Sequence, residues 1–176
     1  NETTTFALAS ALWLLLQNPE QMHKVREDRS LLKNMVEEVL RLESPTQGMP
    51  KITMAEVEIS GVVLPKGAVV HLRYGAANRD PEKFECPHAM DVERTNAGSH
   101  MAFSQSIHSC PGATLSRVEL LIAFDHLLQR TADITFTPNQ NDFSHLPGFV
   151  LRALKSLHIT VTPVDAPDAC AAIKDR

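Results

Sequence analysis

The stretch HMAFSQSIHSCPGATLSR, His100 to Arg117, places a cysteine at the junction between an irregular run and a helical one. From Pro111 to about Gln129 the spacing predicts a helix, with Leu115, Val118, Leu121 and Ile122 on its inner face. Proline is favoured at a first helical position, so Pro111 is expected there. Cys110 then stands at the positive end of the helix, next to free backbone N–H groups, a setting that suits an anionic metal ligand. An isolated cysteine is more often an inert core residue. The neighbours therefore matter: Phe103 precedes Cys110 by seven positions, His108 precedes it by two and Gly112 follows it by two.

Upstream, Thr4 to Gln17 is dense in apolar residues without Gly or Pro, which predicts a buried helix ending near Asn18-Pro19. A short charged helix follows, about Glu20 to Glu27. Ser30 is expected to cap a third helix through Leu42, with Leu32, Val36, Val39 and Leu40 as its buried stripe and Pro45 as a stop. The period changes between Ile52 and Leu72, where β-branched residues and turns at Ser60-Gly61 and Pro65-Lys66-Gly67 predict short antiparallel strands. Ala76 to His100 is polar and aperiodic, the kind of long irregular segment that is uncommon unless functional. The tail FVLRALKSLHITVTP, Phe149 to Pro163, predicts a strand or hairpin, and residues 164–176 a disordered tail.

The chain has 176 residues, 43% of them hydrophobic, enough for one domain with a sizeable core. A net charge of -4 gives no electrostatic case for nucleic acid or an anionic membrane. Three cysteines without a CxxC pair argue against a disulfide framework and for a reducing, cytoplasmic setting. The apolar run Phe6 to Leu16 is too short for a membrane anchor and lacks a basic leader. The chain opens at Asn1 without an initiator Met and runs straight into a helical pattern, as if an upstream segment had been removed.

The 100–117 stretch resembles the cysteine-pocket signature of the cytochromes P450, Phe-Gly-x-Gly-x-(His or Arg)-x-Cys-x-Gly. Phe103, His108, Cys110 and Gly112 match, whereas Ser104 and Ser106 replace both loop glycines. A Cβ where φ must be positive costs on the order of 1 kcal/mol. Three further motifs fall in family order. Glu38 and Arg41, in EEVLRLESP, resemble the Glu-x-x-Arg pair and Arg94 its third member; spacing alone shows only an acid and a base on one helix face. AANRDPEKF, Ala76 to Phe84, resembles the meander. NETTT, at the start, resembles the end of the oxygen-activating helix motif, although Thr and Glu also favour helix starts in their own right.

The resemblance implies a mainly α fold with small antiparallel β-sheets, the C-terminal part of the cytochrome P450 fold, over residues 1–163. It implies haem b as cofactor, with Cys110 as axial thiolate, Phe103 and Gly112 beside it, His108 and Lys51 toward the propionates, and His100, which precedes the signature, among the cofactor-binding residues. It further implies that Glu2 and Thr3 relay protons, that Glu38, Arg41 and Arg94 are structural, and that Thr46, Gln47, Met49, Phe149 and Val150 face the substrate. The activity implied is insertion of one oxygen atom from O2 into a hydrophobic small molecule, with electrons from a ferredoxin or other redox partner. The N-terminal half of the fold is expected to be supplied by sequence outside these residues.

Two rival readings stay open on sequence. One is a truncated or degenerate, non-enzymatic fragment that cannot close a haem pocket. The other is a zinc module using Cys86, His88, His108 and Cys110, whose side chains suit zinc but whose spacings are not those of common zinc modules.

Overall fold

The computed structural model describes residues 1–164. Four longer helices carry most of the core: α1 (Glu2–Gln17), α2 (Pro19–Glu27), α3 (Leu32–Leu42) and, after a one-turn α4 (Tyr74–Ala77), α5 (Ala113–Arg130). The strands are β1 (Met49–Ile52), β2 (Val57–Ile59), β3 (Val62–Leu64), β4 (Val69–Leu72), β5 (Thr131–Phe136) and β6 (Ile159–Pro163). They form three antiparallel pairs, β1 with β4, β2 with β3 and β5 with β6. The fold is mainly α with small antiparallel sheets.

α1 packs against α2, α3, α5 and β5, and its buried side chains Ala7, Ala11, Leu12, Leu14 and Leu15 are its share of one core. Met35, Val36, Val39 and Leu40 of α3 meet Leu120, Phe124 and Leu128 of α5 in that core. Each fully buried side chain of this size contributes about 1.5–3 kcal/mol relative to exposure. Met90 and Val92 pin the irregular segment to the same core.

The β2–β3 turn has positive φ at both central residues, Ser60 and Gly61, which matches the twist of a two-residue hairpin. β1 pairs with β4 around this hairpin, with Lys51 opposite Val70.

Several local expectations are corrected. α1 begins at Glu2 rather than Thr4. Ser30 does not cap α3: Asp28 accepts from the Ser30 N–H at 2.9 Å, a 3-10 turn spans Arg29–Leu31, and α3 starts at Leu32 without a side-chain cap. Asp accepts the backbone bond there just as Ser would, two residues earlier. Pro111 lies outside α5, whose N-cap is Gly112. The face buried by α5 is Leu120, Phe124 and Leu128, while Leu115, Val118 and Ile122 are 62%, 44% and 51% exposed. The helix carries two apolar stripes between its charged residues, and periodicity alone does not choose between them. The expected tail falls almost wholly on residues 165–176, outside those described; Val164 still donates its N–H to the Arg130 carbonyl.

Candidate functional site

The cysteine loop is closed by its own backbone. The Cys110 N–H donates to the Phe103 carbonyl at 2.8 Å, Ser104 N–H to Met101 at 2.9 Å and Ser109 N–H to Ser106 at 3.0 Å. Turning the chain this tightly puts Ser104 at φ 58° and Ser106 at φ 61°, in the left-handed region where glycine is at home. Ser104 has a partner: the Tyr74 hydroxyl, on a buried side chain, donates to its Oγ at 3.1 Å. Cys110 emerges as a free, exposed thiol at the N-terminal end of α5.

Phe103 is held from two sides. The Arg117 guanidinium lies 4.5 Å from its ring centroid and the His100 ring 5.9 Å away. Both of those residues converge on Glu37, with Arg117 Nε at 2.6 Å and Nη2 at 2.9 Å from its carboxylate and His100 Nε2 at 3.1 Å. Burial pushes the Glu37 carboxyl up, and the hydrogen bonds from His100 and Arg117 outweigh it, holding the group at about 2. His100 Nδ1 accepts from the Ala102 N–H at 3.1 Å, so both ring nitrogens are engaged within this network. The side chain is 1% exposed, and its place is beneath Phe103.

Behind the loop, Glu38 and Arg41 are fully buried. Arg41 grips the Glu38 carboxylate with two N–H bonds at 2.7 and 2.8 Å, and Arg94 Nε adds two at 3.0 and 3.1 Å. The remaining guanidinium hydrogens go to carbonyls of the irregular segment: Arg41 to Asn78, Pro87 and Ala89, Arg94 to Glu85. This meets the demand that buried charges be paired and fully hydrogen-bonded. Asn78, also fully buried, ties the end of α3 to the cysteine loop by donating to Ser44 Oγ at 2.9 Å and accepting from the Met101 N–H at 2.6 Å.

A cleft of about 410 Å³ lies between the start of α1 and the start of α5. Thr3, Thr4, Ala7, Leu40, Pro45 and Thr46 form part of its wall, joined by Phe103, Gly112 and Leu115 from the cysteine side. Its size falls in the range of small-molecule and cofactor clefts. Glu2 is exposed one position before Thr3, and Asn1, not Thr3, occupies the N-cap. Lys51 is half-buried in β1 and Met49 lies in the same strand, 39% exposed. The Gln47 side chain donates to the Ser44 carbonyl at 2.7 Å and presses against Gly75, where a Cβ would collide with it. Phe149 is 85% exposed, and the Val150 carbonyl accepts from the Gln47 N–H at 2.7 Å. The structure thus brings Thr3, Thr46, Phe103 and Gly112 to one cleft, with the Cys110 sulfur next to Gly112 at its edge; His108, Lys51, Met49, Phe149 and Val150 lie outside its wall, and Gln47 and His100 are committed to internal bonds.

Cys86, His88, His108 and Cys110 do not form a coordination site: among the described residues no three or more His, Cys, Asp or Glu side chains are grouped to hold a metal ion. One thiol at a helix N-terminus, beside an open cleft, fits a prosthetic group that needs a single protein ligand to its metal, as haem-thiolate coordination does.

Sequence reading missed Glu37, Arg117, Tyr74 and Glu43. Arg117 is four residues beyond the start of α5 and Glu37 is next to Glu38, but charged side chains on helices are mostly solvated, so neither stood out.

Comparison with known proteins agrees with this geometry. The Cytochrome P450 family model matches residues 1–156. The chain is 40% identical to the biotin biosynthesis cytochrome P450 of Bacillus subtilis, over 91% of this chain and 40% of that protein. It is 37% identical to the cytochrome P450 monooxygenase PikC of Streptomyces venezuelae, over 90% of this chain and 38% of that one. Among solved structures, the substrate-free cytochrome P450 CYP150A6 of Mycobacterium marinum superposes with a TM-score of 0.89 at 38% identity, covering 92% of this chain and 41% of that one. P450BioI in complex with hexadec-9Z-enoic acid ligated acyl carrier protein gives a TM-score of 0.86 at 38% identity, covering 91% and 41%. The chain spans about two fifths of the length of these relatives. With motif order, cysteine-loop geometry and the family match in agreement, the chain belongs to the cytochrome P450 family.

Proposed function

We propose that these residues are the C-terminal, haem-binding part of a monooxygenase that inserts one oxygen atom from O2 into a hydrophobic small molecule. The observation that carries this reading is the exposed Cys110 thiol, presented by a hydrogen-bonded loop at the N-terminus of α5 and flanked by the Thr3–Phe103–Gly112 cleft. When bound, haem b supplies the one-electron and O2 chemistry.

The chain's own residues do the rest. Cys110 would hold the haem iron through its thiolate, aided by the positive end of α5. Phe103, clamped between Arg117 and His100, forms the cysteine side of the cleft wall, where it would pack beside the haem. His108 and Lys51 would hold the haem propionates, His108 by hydrogen bonding and Lys51 as a point charge rather than a fork. The Thr3 hydroxyl stands in the cleft wall and passes protons inward, and Glu2, exposed on the same turn, exchanges them with solvent. Glu38, Arg41 and Arg94 keep the irregular segment docked so that the loop keeps its shape.

Electrons come from a ferredoxin or similar partner, and the setting is cytoplasmic. Among the described residues no helix is long and apolar enough to cross a membrane. The structural relative crystallised with an acylated carrier protein makes long-chain acyl groups a sensible first probe of the substrate class. Residues 1–163 act as one unit in this reading, completed by an N-terminal half that covers the exposed α5 face.

A second reading applies to the isolated 176 residues: a folded chain that does not retain haem alone. The exposure of Leu115, Val118 and Ile122, one of them in the cleft wall, favours it. Haem titration into this chain and into the protein extended upstream separates the two. Stoichiometric haem in the extended protein, with one 18O atom delivered from 18O2 to palmitic acid or another lipophilic probe, is the result expected. Failure of the extended protein to retain haem contradicts the proposal.

A further inference from the structure

Glu43 lies just past the end of α3 and is 3% exposed. A carboxylate this buried has to be met by charge and hydrogen bonds. Three groups converge on it. Arg152 donates from Nε to Oε2 and from Nη2 to Oε1 at 3.4 Å, Arg79 Nη2 lies at 3.2 Å, and His145 Nε2 at 3.8 Å. Burial, then the nearby Arg152, push the His145 imidazole below its ordinary value against the pull of Glu43. The Trp13 ring meets the His145 ring edge to face, with centroids 6.1 Å apart.

These partners come from two distant segments. Arg79 follows α4, while His145 and Arg152 flank the loop that carries Phe149 and Val150. That loop is fastened to the residues after α3 by two backbone bonds, Arg152 N–H to the Pro45 carbonyl at 2.8 Å and Gln47 N–H to the Val150 carbonyl at 2.7 Å, which together make the isolated bridge between Thr46 and Leu151. Two such bonds outside a sheet open readily. Pro45 and Thr46 belong to the cleft wall. Among the described residues, the Arg152 and Arg79 side chains have no hydrogen-bond partner other than Glu43. Without the carboxylate, the two guanidinium groups would lose the anion they share.

We propose that Glu43 is a positioning residue for the cleft wall, clamping the 145–152 loop onto residues 45–47 and so fixing where Pro45 and Thr46 stand. The proposal rests on reading the cleft as the catalytic pocket, but the clamp itself is testable without haem. In this chain, Glu43→Gln is expected to speed amide exchange at Gln47 and Arg152 by about tenfold or more, with helix amides such as Val39 and Phe124 within about twofold of the parent. Unchanged protection at Gln47 and Arg152 overturns it. So does an equal loss across the whole chain, which marks a role in general stability only. Should Glu43→Gln fail to fold, Arg152→Gln removes the same clamp from its more exposed side and carries the same expectation.

In the ferric holoprotein extended upstream, imidazole reports the iron alone and clotrimazole also reports the wall. Glu43→Gln is expected to weaken clotrimazole by about fivefold or more and imidazole by less than about twofold. Equal effects on both ligands, or none, overturn the positioning role. A parent protein that shows no azole-induced spectral shift contradicts the haem reading instead, and the exchange measurement still decides the clamp.

Discussion

Ser104 and Ser106 hold backbone angles that glycine adopts freely, and the loop pays for each with about 1 kcal/mol of strain. Only Ser104 has a visible compensation, the Tyr74 hydroxyl. The two sites should therefore respond differently. Ser106→Gly is expected to raise unfolding stability by about 0.5–1 kcal/mol in urea titration, because it relieves strain and removes no contact seen in its side chain. Ser104→Gly should gain less, since the buried Tyr74 hydroxyl loses its acceptor. Tyr74→Phe should restore part of that difference in the Ser104→Gly background. The loss of glycine was plain in the sequence, but the partner that offsets it was not. Tyr74 is thirty residues away and acquires meaning only when α4 packs against the loop.

At the scale of elements, α3 does the most for the site, because Glu37 and Glu38 diverge from one turn to serve two purposes. Glu38 is sealed in with Arg41 and Arg94, so Glu38→Gln strands two buried guanidinium groups and is expected to cost about 3–5 kcal/mol. Denaturant unfolding of the variant measures this directly. Glu37 sits at the edge of the core and fastens α5 to α3 through Arg117. Its carboxyl is held at about 2 against an ordinary 4.5, so the stability it contributes is complete above pH 4.5 and is lost as pH falls from 4.5 toward 2. Allowing for solvent around Arg117, the loss is on the order of 1–2 kcal/mol, and a Glu37→Gln variant should show a correspondingly flatter acid limb.

Helix positions, the hairpin and the Glu-x-x-Arg pair were legible in the sequence because each rests on local spacing or on a known motif. Which face α5 buries was not, since Leu115, Val118 and Ile122 are as apolar as Leu120, Phe124 and Leu128, and packing alone separates them. His100 was read toward the haem for the same reason. A histidine next to the loop carries no local sign that Glu37, sixty-three residues earlier, holds its ring.

For the molecule as a whole, Leu115, Val118 and Ile122 leave an exposed apolar stripe along α5. Contiguous apolar area of this kind promotes association in soluble proteins. The isolated chain is expected to self-associate at micromolar concentration, and Ile122→Glu to shift it toward monomer in sedimentation velocity. In the protein extended upstream, the same substitution should instead lower stability by about 1–3 kcal/mol, because a charge would then be placed where apolar contacts are made. A stripe that behaves identically in both contexts would speak against coverage by the N-terminal half. Leu115 belongs both to this stripe and to the cleft wall.

In the proposed function Cys110 is the thiolate ligand to haem. The most direct measurement is the spectrum of the reduced, CO-treated holoprotein extended upstream, taken for the parent and for Cys110→Ser side by side. The parent is expected to show the red-shifted Soret band of thiolate-ligated haem, and Cys110→Ser to lose it while α3 and its Glu38–Arg41–Arg94 cluster stay folded. A parent without that band, or a Cys110→Ser variant that keeps it, would contradict the account.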